Sequence, residues 1–249
     1  NESIGIGKGT VKLEDFEKSD LIIVVGQNPG TNHPRMLTAL RDAKKNGASV
    51  VSINPLIETG MIRFKHPQNP LEVLGYGTEI SDEHVRVCLN GDQALFRGFA
   101  KVILEGSLED NGFISKFTKG YEDYEKLVRK TSWDQISMLS GIERNEIERV
   151  GNLIARSDAT ICCWAMGLTQ HKNSVPTIQE ISNLLLLGGH VGREGAGLCP
   201  VRGHSNVQGD RTVGINHNPT TAFLDSLSRE FGIQKIPTRG LDSVDAVRS

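Results

Sequence analysis

The chain has 249 residues, with 28 Lys+Arg against 30 Asp+Glu and a formal net charge of −2, a length that allows one or two domains. Hydrophobic residues make up 37% and charged residues 23%, which suits a packed core and excludes disordered, collagen-like and coiled-coil chains. The near-neutral balance argues against a nucleic-acid partner, and no apolar run approaches the roughly 20 residues that span a bilayer. No basic region followed by an apolar one opens the chain, so a cytoplasmic protein is expected. The first residue is Asn rather than Met, as in a piece of something longer or a processed start.

Taken in order, residues 20–26 (DLIIVVG) form a continuous β-branched run that predicts a strand buried on both faces. Leu37, Leu40 and Ala43 then recur at helical spacing up to the stop at Asn46-Gly47. ASVVSINP is the next strand, which completes a βαβ unit. Residues 65–79, rich in Pro and Gly, are predicted to be a loop, and HVRVCL (84–89) a short strand. A helix is predicted from Asp92, with Ala94, Leu95, Phe99, Val102 and Ile103 on one face, and 107–150 reads as helical with breaks. ATICCWAMG is a third buried strand, and TIQEISNLLLLGG a helix ending at paired glycines. Residues 192–219 read as loop, TAFLDSLSREFG as a last short helix and SVDAVRS as the start of another. Strands alternating with helices predict an α/β fold, a doubly wound and mostly parallel sheet with helices on both faces.

Cys88, Cys162, Cys163 and Cys199 form no CxxC pair, so zinc or iron–sulfur ligation within the chain is not expected. The adjacent Cys162 and Cys163 read as buried and inert.

In open α/β sheets, ligands bind beyond the carboxyl ends of the strands. There the sequence places Gly26-Gln27-Asn28-Pro29-Gly30-Thr31-Asn32-His33, then Asn54-Pro55-Leu56-Ile57-Glu58-Thr59, Asn90-Gly91-Asp92 and Met166-Gly167-Leu168-Thr169-Gln170-His171. Turn chemistry alone explains Asn, Gly and Pro in any one loop, but four such loops together point to a site. Neither GxGxxG nor GxxxxGK[ST] is present, which lowers NAD, FAD and ATP as ligands. The segment GREGAGLCPVRGHSNVQGD adds Arg193, Arg202, His204 and Arg211 among glycines, suited to an anion and a large flat ligand.

At these residues the chain resembles the catalytic subunit of formate dehydrogenases in the molybdopterin oxidoreductase superfamily. The resemblance rests on VVGQNPGTNHPRML, AKKNGASVVSINPLIETG, NGDQAL, WAMGLTQHKNSV and ISNLLLLGGHVGREGAGLCPVRGHSNVQGD, in family order over most of residues 3–215. It implies a Rossmann-like domain that binds one molybdopterin guanine dinucleotide over 1–205, and over 206–249 the start of a neighbouring α/β domain, partly disordered. It further implies that Gly26, Asn28, Pro29 and Thr31 line one guanine dinucleotide, with Asn54, Gly91 and Asp92 nearby. Met166, Gly167, Thr169 and Gln170 match a loop approaching the second pterin, with Gly203 also at the cofactor. Arg202 and His204 match catalytic positions beside the metal.

Two departures stand out. Asn54-Pro55-Leu56 replaces a frequent Asp-Pro-Arg, and His204 stands where formate dehydrogenases tend to carry Gln. By this resemblance the full protein is an enzyme with molybdenum on two molybdopterin guanine dinucleotides and a 4Fe-4S cluster bound outside these residues. No cofactor is expected on the chain alone, and the Cys or selenocysteine that binds the metal is expected just upstream of Asn1. The implied partners are a small anionic substrate such as formate, the remaining domains of the same subunit and an electron-transfer partner. A non-catalytic nucleotide-binding or assembly module of Rossmann type is the competing expectation.

Overall fold

The computed structural model describes residues 3–215, 219–233, 241 and 243–248. The chain divides into two units, Asn1–Val201 and Arg202–Ser249.

In the first unit, β1 (Leu21–Val25) is five consecutive buried aliphatic residues, which only a strand covered on both faces accommodates. Its backbone pairs in parallel with β2 (Ser49–Ile53) on one side and β6 (Thr160–Trp164) on the other. Between β1 and β2 lie a one-turn helix α1 (Pro29–Asn32) and α2 (Met36–Lys45), the predicted helix of the βαβ unit. The chain continues through α3 (Thr59–Ile62), β3 (Arg63–Phe64), α4 (Pro70–Leu74), β4 (Thr78–Glu79) and β5 (Glu83–Val85). The five-stranded sheet then runs β5-β2-β1-β6-β7, with β7 (Gly197–Pro200) at the far edge and every ladder parallel.

Between β5 and β6 the chain builds a helical layer of α5 (Asp92–Glu105), α6 (Asn111–Phe117), α7 (Tyr121–Lys130), α8 (Trp133–Ser140) and α9 (Arg144–Arg156). After β6 come α10 (Met166–Thr169) and α11 (Ser174–Leu187). Alternation along the strands sorts the core into two clusters. Leu21, Ile23, Val25, Cys162 and Trp164 pack with Phe99, Ile147, Val150 and Leu184 of the helical layer. Ile22, Val24, Ile161 and Cys163 pack on the opposite face with Leu37, Leu40 and Ala43 of α2. Asp20 fixes the start of β6 beside β1 by accepting from the backbone N–H of Asp158 (2.8 Å) and Ala159 (3.0 Å).

One buried polar network ties the helical layer to α11. Arg97 of α5 donates through Nε (2.8 Å) and Nη2 to Glu180 Oε1 of α11, and Tyr124 Oη of α7 donates to Glu180 Oε2 (2.9 Å). Burial pushes the Tyr124 hydroxyl well above its ordinary range, so it remains a donor.

Three sequence expectations need correction. Residues 65–79 are not simply a loop: Asn69 caps α4 by accepting from Leu71 N (3.1 Å), and β3 and β4 pair in antiparallel. The strand expected over 84–89 ends at Val85, because Cys88 N donates to Ser140 O (2.8 Å) at the end of α8 instead of to the sheet. The stretch 192–219 contains β7, which its Gly-Leu-Cys-Pro sequence did not betray, and α12 (Val207–Thr212).

The second unit comprises α12, α13 (Thr221–Phe231) and α14 (Ser243–Arg248) among its described residues. Thr220 caps α13 by accepting from Phe223 N (3.3 Å). Residues 216–218, 234–240, 242 and 249 lie outside the described residues, so expectations for 206–249 that fall there are not addressed.

Candidate functional site

The strand order reverses between β1 and β6: connections from β1 step one way to β2 and β5, and β6 and β7 fill the other side. A crevice opens outside the carboxyl ends of the strands at such a switch point. Gly26 ends β1 there with φ +58°, and Gly167 follows β6. Gly167 N donates to Gly26 O (3.0 Å) across the switch point. A Cβ on Gly167 would lie 2.5 Å from Gly26 O, and one on Gly26 would lie 2.4 Å from Leu168 Cδ1. The two strand-end loops touch backbone to backbone, with the Leu168 side chain packed beside Gly26.

On the β1 side, Asn28 caps α1 by accepting from Thr31 N (3.1 Å) and donates from Nδ2 to Glu58 Oε2 (2.6 Å). Pro29 is the buried first residue of that turn. Asn54 Nδ2 donates to Gln27 O (3.0 Å), tying the loop after β2 to the loop after β1. Asn28 and Asn54 thus shape the crevice wall by binding other loops. Gln27 and Glu58 lie in the strand-end loops picked out along the chain, but neither was singled out there as a site residue. Gln27 is buried, its Nε2 lies between Met36 Sδ (3.0 Å) and His33 Nδ1 (3.4 Å), and its Oε1 has no hydrogen-bond partner. Its position immediately after a fully buried strand was the available signal.

On the β6 side, buried Leu168 anchors α10, leaving Met166, Gly167, Thr169 and Gln170 exposed. After β5, Asn90 adopts φ +65° and Gly91 packs so tightly that a Cβ would lie 2.7 Å from Leu139 O. Asp92 opens α5 and is only 6% exposed, yet it makes no ion pair among the described residues. Burial raises its carboxyl pKa above the ordinary range, opposed by its own backbone N–H and by His171. His171 follows α10, so this influence reaches the carboxylate from the β6 side.

Arg202, Gly203 and His204 open the second unit, between β7 and α12. Gly203 and His204 are exposed, and a Cβ on Gly203 would meet nothing within 4 Å. Among the described residues, no group of three or more His, Cys, Asp or Glu could hold a metal ion, and all four cysteines are free.

Residues 7–232 match the molybdopterin oxidoreductase family. The chain belongs to this family. An uncharacterized oxidoreductase of Mycobacterium bovis is 48% identical over 254 residues, covering 100% of this chain and 33% of that protein. Protein YdeP of Escherichia coli K12 is 45% identical over 92% of this chain and 32% of its own length. Formate dehydrogenase H of the same organism is 27% identical over 95% of this chain and 32% of its own. The chain thus spans about a third of the curated relatives it matches. Acetylene hydratase from Pelobacter acetylenicus shares the fold, with a TM-score of 0.63 at 20% identity over 77% of this chain and 24% of that one. Membership of the molybdopterin oxidoreductases implies a molybdenum–molybdopterin cofactor. Among the described residues no helix is long and apolar enough to cross a membrane.

Proposed function

We propose that the protein to which this chain belongs is a cytoplasmic molybdenum oxidoreductase carrying two molybdopterin guanine dinucleotides. The reading further includes a 4Fe-4S cluster held outside these residues. The observations that support it are the Gly26–Gly167 backbone contact at the switch point and the buried carboxylate of Asp92, which makes no ion pair among the described residues. These residues fit a guanine dinucleotide. Guanine presents adjacent N–H donors that one carboxylate accepts together, and glycine at the ends of both strands lets a flat, extended ligand approach the backbone closely.

Gly26, Asn28, Pro29, Thr31, Asn54, Gly91 and Asp92 would line this dinucleotide. Met166, Gly167, Thr169 and Gln170 would line the second pterin, and Gly203 is a further cofactor-binding residue in this reading. When bound, the molybdenum–pterin group supplies two-electron redox chemistry. Arg202 holds the anionic group of formate or another small anion, since a guanidinium fork matches a carboxylate. His204 hydrogen-bonds that substrate or moves a proton at a ring nitrogen. In this reading the 249-residue chain does not turn over by itself, the metal's own ligand and the remaining domains being supplied by the rest of the subunit.

The test is metal and nucleotide analysis of the longer protein with dye-linked formate oxidation. Molybdenum together with GMP released by acid supports the reading, and substrate-driven dye reduction supports catalysis. A metal-free protein that binds NAD or ADP more tightly than GDP overturns it. The alternative, a non-catalytic binding or assembly module, draws on the exposed Leu56 and Ile57 beyond β2. Substrate-dependent reduction would exclude that alternative.

A further inference from the structure

Cys163 and Cys199 face each other across β6 and β7 as direct register partners. Neighbouring strands lie about 4.7–4.9 Å apart, inside the Cα separation of about 4.4–6.8 Å that a disulfide spans. Both side chains sit on the α2 face of the sheet: Cys163 belongs to that buried cluster and Cys199 packs against its edge. Cys162 belongs to the cluster on the opposite face, so its adjacency to Cys163 in sequence does not make it the partner.

The two thiols differ in the way a reactive pair requires. Cys163 is fully buried, whereas Cys199 is partly exposed on the edge strand. The neighbouring Cys163 holds the Cys199 thiol below its ordinary pKa, while burial pushes Cys163 well above its own. The less buried thiol is thereby the better nucleophile, and the more shielded one faces it across the strand pair.

We propose that Cys163 and Cys199 form an oxidisable dithiol site, which a peroxide converts to a cross-strand disulfide and a thiol reductant restores. In the first step the Cys199 thiolate attacks the peroxide: an S–O bond forms and the O–O bond breaks. With hydrogen peroxide, the departing hydroxide takes up a proton, leaving a sulfenic acid on Cys199. The Cys163 sulfur then attacks the Cys199 sulfur, the S–S bond forms, the S–O bond breaks, and the Cys163 proton leaves with the hydroxide as water. In total the dithiol loses two electrons and two protons, and hydrogen peroxide is reduced to two waters. The bridge would tie β6 to β7 three residues before Met166 on one strand and three residues before Arg202 on the other. The chemistry itself does not depend on the function proposed for those loops.

The test treats the full chain, purified reduced, with a graded excess of hydrogen peroxide, then alkylates and digests it with trypsin. Cleavage isolates Cys162 and Cys163 in peptide 157–172 and Cys199 in peptide 194–202. The expected result is loss of two thiols per chain and a linked pair of these peptides that dithiothreitol separates, with fragmentation placing the link at Cys163. Cys162→Ala and Cys88→Ser should retain the link, and Cys199→Ala should abolish it. Cys199→Ala lies on the edge strand, so it tests the link even if the buried Cys163→Ala variant fails to fold. Oxidation confined to Cys88, a link through Cys162, or Cys199 advancing to sulfinic acid while Cys163 stays alkylatable on unfolding would each overturn the proposal.

Discussion

Arg97 and Glu180 form a buried ion pair that fastens α5 to α11, and Tyr124 completes it from α7. Glu180 is 3% exposed, so removing its partner leaves a charge in a poorly solvated place. Arg97→Ala should therefore destabilise the chain by about 3 kcal/mol. Tyr124→Phe removes one hydrogen bond to a charged acceptor and should cost about 1–2 kcal/mol. Urea unfolding checks both. Arg97→Met combined with Glu180→Leu should cost less than the single changes summed, because no charge is then left unpaired.

The contact of Gly26 with Gly167 leaves no room for a methyl group on either side. Gly167→Ala drives its Cβ into backbone atoms that cannot rotate away, whereas Gly26→Ala meets the movable end of Leu168 but must hold a positive φ. Both should destabilise by about 1–3 kcal/mol, with Gly167→Ala the larger. Thermal unfolding gives the ranking, and equal midpoints with the wild type would remove the contact from the account.

His190 gives the stability a pH dependence. It is buried, and burial together with Arg193 lowers its pKa from 6.5 to about 4. The unfolded chain takes up this proton first on acidification, so the contribution is complete above pH 6.5 and is lost as pH falls towards 4. The loss over that window should be about 3 kcal/mol. Urea midpoints at several pH values should fall across it for the wild type, and His190→Asn should flatten that slope.

Asp92 should behave in the opposite sense. Its carboxyl pKa is raised by burial, so keeping it ionised opposes folding, and its contribution declines as pH rises through the ordinary and then the folded value. Asp92→Asn should make the chain no less stable at neutral pH. In the longer protein it should lower retained GMP about tenfold or more, the cost of a lost hydrogen bond to a charged group. Destabilisation of the chain with unchanged nucleotide content would assign Asp92 a structural role instead.

The buried strands were legible because LIIVV, SVVSI and TICCW have no polar face to mislead. The long helices were legible from their apolar spacing. Gly-Leu-Cys-Pro was not, because an edge strand needs few side chains and its pairing to β6 is a long-range property. The strand-end loops could be picked out along the chain, but their stitching could not. Asn28 finding Glu58, Asn54 finding Gln27, and His171 acting on Asp92 are relations between loops that only the sheet order creates.

Placing the whole helical layer between β5 and β6 has a kinetic consequence. Gly26 leaves the ribosome 141 residues before Gly167, the residue it must touch. At about 5–20 residues per second, synthesis separates them by roughly 10–30 s. During that interval β1 has only β2 and β5 to build on, and its other edge stands open as a template for wrong pairing. The open edge of β1 closes only when β6 has been made, and protein made faster than that edge is covered should be lost to aggregation before any ligand can be bound.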